Sequence, residues 1–587
     1  MKNSFLMYAI LIGSFSANAQ EKKKDTIVAT EIVNVETKYN PKIADANKIK
    51  KNPTIKLLEK SDRKKLEYNI FSAPVASTFV PKTGVLKGID VGVKERIYNN
   101  YIAGGYGNFA SPYAELFMYK STRFDNEYGV HAKYSASEEN VRNTVLNSNF
   151  LNFNTAIFFK QETRYFDWKV SLDAEKENYN WYGLPSDKVH TETTIRAIDE
   201  AQNYNYVKLA GDFNFHDSYF EFGKVSVAYF TDAFKTSEIF ANLETKLKFP
   251  LDFLSNNLND ISINSGIELL SGNFKNSYDN AGEIKYNLIT AKLAPEYKME
   301  YLGFSLKAGL KTFVSLDVEN DITNFFIFPD IFVQTSLFEK YVFAYSGFKG
   351  DLETNTYKKF TDENPYVAPT LLIKQTASAS NLFFGLKGNI SRDFSYNVKV
   401  STKKEADKPL FLRNNSKSNG TNTISNGENL EGYAYGNSFK IYYDDVNSTS
   451  LFAEVEYLFD KHLLFSARLQ FDNYTTTNAL ENWNLPSLQS SFSANYKEDK
   501  WYATANIYYV DERKDALYNA TFPSSINGVE TLSAFIDVNL NGGYHFNDRF
   551  STFLRVNNLL NTEYQRFANF ETQGFQVLGG ITYKFDF

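Results

Sequence analysis

The chain contains no cysteine. Disulfides, thiolate metal sites and a lipid attached at a cleavage-site cysteine are therefore excluded. It also lacks any uninterrupted apolar run of the roughly 18–20 residues that a membrane-spanning helix requires. Any crossing of a bilayer must then be made by strands closed into a barrel, because an open sheet edge stays unpaired in lipid. Histidine is sparse, and His131, His190, His216, His462 and His545 show no HExxH or comparable ligand spacing. No GxSxG elbow, P-loop or strand-linked GxGxxG stands in a usable context. Nothing places a nucleophile beside a base, so the residues predict a protein that is not an enzyme and has no cofactor or metal. Positive charge is not in excess either. A formal net charge of −6 argues against nucleic acid as a partner.

What is abundant is aromatic. Tyr and Phe number 40 and 52, yet mean hydropathy is −0.40 and 22% of residues are charged. A soluble chain of this length would be expected to form several domains with apolar cores. A barrel needs no such core, since alternate residues face lipid and the rest face water. From Asn99 onward the chain reads as alternating segments of about ten residues, the length with which a tilted strand crosses the bilayer core. Trp501, Ala503, Ala505, Ile507 and Tyr509 fall on one face, and Tyr502, Thr504, Asn506 and Tyr508 on the other. A soluble antiparallel sandwich would not sustain that alternation without a domain break.

The turns predict the topology. Short polar turns recur at Arg123–Asn126, Gln161–Arg164, His216–Ser218, Asp252–Asp260, Glu300–Gly303, Glu339–Lys340, Ser391–Asp393, Asp460–Lys461, Glu498–Lys500 and Asn547–Arg549. Longer polar stretches lie between them, among them Pro185–Asn203, Asp351–Pro369, Lys404–Glu431 and Asp511–Glu530. Short turns on one rim and long loops on the other, with both termini on the short-turn side, give an all-β, antiparallel transmembrane barrel of about 22 strands. Aromatics flank the short turns, as interfacial girdles require: Tyr128, Phe215, Tyr219, Tyr301, Phe304 and Trp501 among them. The Asn-, Ser- and Gly-rich Lys404–Glu431 stretch is expected to be a mobile surface loop. Gly104, Gly105 and Gly107 fall within a predicted strand, where they would allow close packing.

Residues 1–19 have the form of a secretory signal peptide: Lys2, an apolar Phe5–Phe15 core and Ala17-Asn18-Ala19 before Gln20. Export through it would lead to the outer membrane of a Gram-negative cell, with outer-membrane lipid around the barrel. Residues 20–98 are then a short periplasmic or luminal segment, and 99–587 the barrel. Between Glu21 and Ile70 there are 13 basic and 8 acidic side chains, a net of about +5, so residues 71–587 carry about −12 once Lys2 is included. Such a segment could dock electrostatically in the barrel or remain a solvated linker.

The last strand, Phe575–Phe587, places Ile581, Tyr583, Phe585 and Phe587 on one face. It resembles the closing strand of bacterial outer-membrane barrels, whose terminal aromatic pattern the barrel-assembly machinery reads. Asn557–Tyr564, then Gly574 and the final strand, resemble the tail of TonB-dependent receptors. The stretch from Ser111 to Ser137 and Asn364–Pro369 are similar to a subgroup of receptor-like barrels without the usual plug. Asp25, Thr26, Ile27, Val28 and Ala29 are similar to the TonB box, an extended peptide that adds a strand to the energy-coupling protein. The resemblance implies solute passage or uptake across the outer membrane, with TonB or a periplasmic or surface protein as partner. One departure stands out. The family carries a globular plug longer than the whole segment available here, residues 20–98, which is fewer than eighty residues. A lumen of this width needs filling, by Glu21–Asn99, by inward-folded loops or by a partner. A barrel that does not transport, serving as a subunit or scaffold of an envelope assembly or secretion complex, is the alternative.

Overall fold

The computed structural model describes residues 98–122, 126–186, 188–251, 260–279, 282–301, 303–339, 341–425, 427–519 and 524–586. The signal peptide, the Asp25–Ala29 stretch and Phe587 lie outside the described residues. Twenty-two strands form one antiparallel sheet, each bonded to its sequence neighbour in that sheet. The sheet closes on itself. Asn100–Gly107 pairs with Gln576–Phe585, from Asn100 opposite Phe585 to Gly107 opposite Leu578. No edge is left to pair with another chain or to stand bare in hydrocarbon.

The seam is packed tightly. A Cβ at Gly105 would come within 2.8 Å of the Gly579 carbonyl oxygen, and one at Gly107 within 2.6 Å of that of Val577. Close approach of the first and last strands is thus the use made of the glycine run. Elsewhere along the sheet, aromatic rings lie over glycines of the neighbouring strand, as Tyr345 does over Gly385, Phe383 over Gly347 and Tyr502 over Gly543. Each ring fills the gap that a missing side chain leaves in the sheet.

All ten expected short connections join adjacent strands on one rim, including Ser237–Phe249 to Ile261–Phe274, whose connecting residues 252–259 are not described. The other eleven connections gather on the opposite rim. Along the strands the alternation resolves into two faces. Ile157, Leu209, Ile267, Leu310, Phe384 and Ile581 are exposed on the outer face, a surface that suits hydrocarbon and not water. Near the short-turn rim the exposed side chains become aromatic: Tyr165, Tyr219, Tyr301, Phe338, Phe459 and Trp501. Rings at this level match the girdle that sits in the headgroup region.

Two expectations about the long connections change. Lys404–Glu431 is not a mobile loop throughout. Its first ten residues continue the strand Phe394–Arg413, and Asn414, Ser416 and Ser418 are buried. The Asp511–Glu530 stretch holds a two-stranded ribbon, Arg513–Tyr518 with Ile526–Leu532. In both cases backbone bonds that a polar composition assigns to water are made within the protein.

The row Phe492–Ile507–Val538 faces outward, whereas Ser493–Asn506–Asn539 faces the lumen. Ile507→Arg should therefore cost roughly 2–4 kcal/mol near the bilayer midplane, and Asn506→Arg should be tolerated. Heat-modifiable migration of the assembled barrel checks this, and equal behaviour of the two variants would refute the facing.

Candidate functional site: a roofed lumen

The long connections do not stand away from the barrel. They fold together over its mouth and share a hydrophobic core with the upper inner wall. Tyr357, Phe360, Val367, Tyr435, Phe439, Phe567 and Phe570 come from three separate loops and the strand start at Phe439. They meet Tyr204, Phe230, Phe274 and Tyr286 from the strands. The rings make specific contacts. Tyr357 meets Phe274 edge-on at 4.9 Å and Phe230 at 5.2 Å, and Tyr366 stacks on Phe570 at 3.7 Å. Aromatic pairs of this kind stabilise beyond the area they bury.

The helix Tyr357–Glu363 is the centre of this roof, and it is held by its N-terminus. Thr356 caps it, its hydroxyl accepting from the Lys359 N–H at 3.1 Å. The next free N–H groups, of Tyr357 and Lys358, donate to the Glu238 carboxylate at 2.7 and 3.2 Å. A carboxylate at the positive end of a helix satisfies donors that the helix itself cannot pair. Tyr286 also donates to Glu238, at 2.8 Å, while the Tyr357 hydroxyl donates to Asp232 at 3.0 Å. Two strand-top carboxylates thus bolt one loop helix to the barrel.

Further loops lock onto this one. Trp181, fully buried, donates its Nε1–H to the Tyr366 carbonyl at 3.1 Å. The side-chain amide of Asn437 donates to the carbonyls of Trp181 and Gly432 at 2.7 and 2.9 Å. The ribbon is tied by Asp515, which accepts from the backbone N–H of Arg413 at 3.1 Å and from Asn484 at 3.0 Å. Arg413 pairs with Glu530 at 3.1 Å.

Beneath the roof the inner wall is highly charged. Near the seam Glu115 gathers Tyr101 at 2.9 Å, His131 at 3.0 Å and Tyr113, with Arg555 donating to the Tyr113 hydroxyl at 3.2 Å. Farther round, Lys307 bridges Glu296 and Asp330 at 2.7 and 3.0 Å. A cavity of about 530 Å³ opens on this wall beside Lys292, Lys311, Lys349 and Lys403. A second, of about 580 Å³, lies at the roof's edge, between Tyr509, Phe535, Tyr564 and Glu530. Among the described residues, no group of three or more His, Asp or Glu side chains is arranged to hold a metal ion. His216 and His462, expected at the short turns, are there. His216 lies 3.1 Å from Asp167, and Nδ1 of His462 lies 2.9 Å from the Lys497 carbonyl.

Of the residues singled out from the sequence, Ile581 and Tyr583 face outward on the closing strand, beside Ile102 of the first. Sequence reasoning did not find the roof residues or the luminal lysine cavity. The available signal was the aromatic content of the long polar stretches, such as Trp181-Tyr182 and Tyr433-Ala434-Tyr435.

No protein-family model and no curated protein matches the chain. Solved structures do. The FrpB iron transporter from Neisseria meningitidis superposes with a TM-score of 0.61 at 9% identity, covering 84% of this chain and 82% of that one. The ferric-catecholate import receptor Fiu from E. coli K12 gives 0.60 at 9% identity, with coverages of 84% and 82%. The ferric enterobactin receptor PfeA from Pseudomonas aeruginosa gives 0.57 at 10% identity, with coverages of 84% and 81%. The chain has the 22-stranded barrel fold of TonB-dependent receptors, the fold that the tail of its sequence resembles. At these identities the likeness is one of fold.

Two tests of the roof follow. Glu238→Ala removes the acceptor of three donors, each of which costs about 1–3 kcal/mol if left unpaired. Limited proteolysis should then cut within residues 355–374 while the barrel keeps its heat-resistant migration. Burial raises the Asp515 carboxyl above its ordinary range. A raised folded-state pKa means that protonated Asp515 favours the closed ribbon, so its contribution is full below the unfolded pKa and fades as pH rises through the folded one. Hydrogen exchange in residues 513–532 should accelerate with rising pH beyond the intrinsic rate, and Asp515→Asn should remove that excess.

Proposed function

We propose that the protein is an outer-membrane uptake barrel, exported by its signal peptide and inserted with outer-membrane lipid around its apolar belt. The assembly machinery would read the closing strand at Ile581, Tyr583, Phe585 and Phe587. In this orientation the short turns face the periplasm and the roof faces outside. The observation that carries the reading is a closed barrel whose charged lumen suits water and polar solutes. Structures of the same fold are named for iron transport, ferric-catecholate import and ferric enterobactin reception. The N-terminal segment, residues 20–98, would reach the periplasm, where Asp25–Ala29 offers an extended strand to TonB. Strand addition relies on main-chain N–H groups, so Ile27→Pro should abolish crosslinking to TonB.

The roof favours a second reading. Its packed side chains include Tyr357 and Phe360 in one cluster and Trp181 in another, all with no solvent exposure, which is more than a loosely gated channel needs. A barrel sealed in this way would serve as a subunit or scaffold of an envelope assembly. Planar-bilayer recordings separate the two. The uptake reading expects currents that grow on deletion of Glu21–Ile70 or on loosening the roof with Glu238→Ala. Silence in every form, together with a stoichiometric partner after gentle solubilisation, would establish the scaffold instead.

A further inference from the structure

The luminal cavity under the roof has an unusual charge balance. Residues 71–587 carry about −12, yet four lysines converge here from four strands: Lys292, Lys311, Lys349 and Lys403. Their pairings differ. Lys311 is neutralised by Asp351 at 2.6 Å. Lys403 lies 2.6 Å from Glu405, but Glu405 is shared with Lys408 at 2.5 Å. Among the described residues, Lys292 and Lys349 have no carboxylate within 4.0 Å. Their ammonium groups rest on aromatic faces instead. Lys349 sits 5.3 Å from the Phe332 ring and 5.6 Å from that of Phe383, and Lys292 sits 5.7 Å from the Phe313 ring. A ring face orients an ammonium group without neutralising it. Of the three carboxylates that line the cavity, Asp351 and Glu353 are paired with Lys311 and Lys359, and Glu268 accepts from Thr354 at 2.6 Å.

The neutral polar lining fits the same chemistry. Ser378 and Asn381 border the cavity, and Oδ1 of Asn381 is shut off from solvent without a hydrogen-bond partner. With Oδ1 enclosed, the N–H₂ is the end of the Asn381 amide left to donate to an acceptor in the cavity. Phe240 and Leu352 give it an apolar side. About 530 Å³ lies within the usual range of small-molecule sites.

We propose that this cavity binds a small multivalent oxyanion, with Lys292 and Lys349 pairing with two of its acidic groups and Asn381 and Ser378 donating to a third. An anion bearing two or more charges is the complement to two fixed, unpaired ammonium groups in a recess where water is partly excluded. The proposal names a solute class for the uptake reading and rests on that reading for its biological use. The binding itself is measured without transport.

Isothermal titration of the full-length protein in detergent micelles tests it, with tricarballylate and inorganic pyrophosphate as separate probes. Saturable binding of either, weakening as salt is raised, is the expected result. Tricarballylate alone would assign the site to polycarboxylates, pyrophosphate alone to phosphoryl groups, and both to multivalent oxyanions in general. The double variant Lys292→Gln/Lys349→Gln should lose at least tenfold in affinity, while Lys133→Gln, on the wall near the seam, should bind as the parent does. Absence of saturable binding by both probes, or binding unaltered in the assembled double variant, would overturn the proposal. If the double variant fails to assemble, salt-insensitive binding by the parent protein does so. A chain that binds but never conducts keeps this site and removes the uptake reading, and one that conducts without binding does the reverse.

Discussion

In hydrocarbon no water is present to pair with a peptide group, and each unpaired N–H or C=O costs several kcal/mol. The other features of this chain follow from that constraint. It explains why strands can cross a bilayer where the described residues include no helix long and apolar enough to do so, and why the first and last strands must meet. Asn100–Gly107 and Gln576–Phe585 supply the final row of bonds, and the glycines on both sides let their backbones approach without side chains intervening. Once the sheet is closed, period-two alternation does the rest. One set of residues can be as apolar as lipid requires, and the other can carry lysines and carboxylates in cross-strand pairs.

The roof obeys a different rule. In water a loop gains little by leaving solvent unless it buries apolar area and keeps its polar groups bonded. Here both conditions are met by combining loops, none of which has a core of its own. Tyr357 and Phe360 from one loop, Tyr435 from a second and Phe567 and Phe570 from a third pack with the strand tops into one cluster. Glu238, Asp232 and Asp515 satisfy the backbone and side-chain donors enclosed by that packing, and Asn437 donates to carbonyls enclosed with them. The result is a small globular core built on the end of a membrane barrel, stabilised by burial in water, whereas the barrel below it needs no core at all.

This division accounts for what could be read in advance. The ten short turns, the strand number and the two faces of strands such as Trp501–Val510 are local patterns, and each repeats often enough to outweigh a misleading instance. The roof is non-local. Trp181 bonds to Tyr366 and Tyr182 to Glu571, and nothing in the spacing of those residues announces it. Asn, Ser and Gly in residues 414–438 suggest mobility by composition, yet Ser418, Asn437 and Ser438 are fully buried because their side chains bond back to the local chain. The lysine cavity was hidden for a related reason. Lys292, Lys311, Lys349 and Lys403 lie on separate strands, and their convergence depends on register across the sheet. A charge count along the chain reports only the acidic total.

The seam also sets the order of events during folding. Asn100 hydrogen-bonds to the Phe585 carbonyl across 485 positions of sequence, so the barrel has no finished form until almost the whole chain has emerged. Every other pairing in the barrel sheet joins strands that follow one another in sequence within it, and such hairpins can form early and locally. The last contact is the most remote, and closing so long a loop is slow compared with forming the hairpins. In the interval the growing sheet has two bare edges, which are sites for aggregation. A chain of this design therefore carries two unpaired edges until its ends meet, a hazard that lengthens with the time the meeting takes.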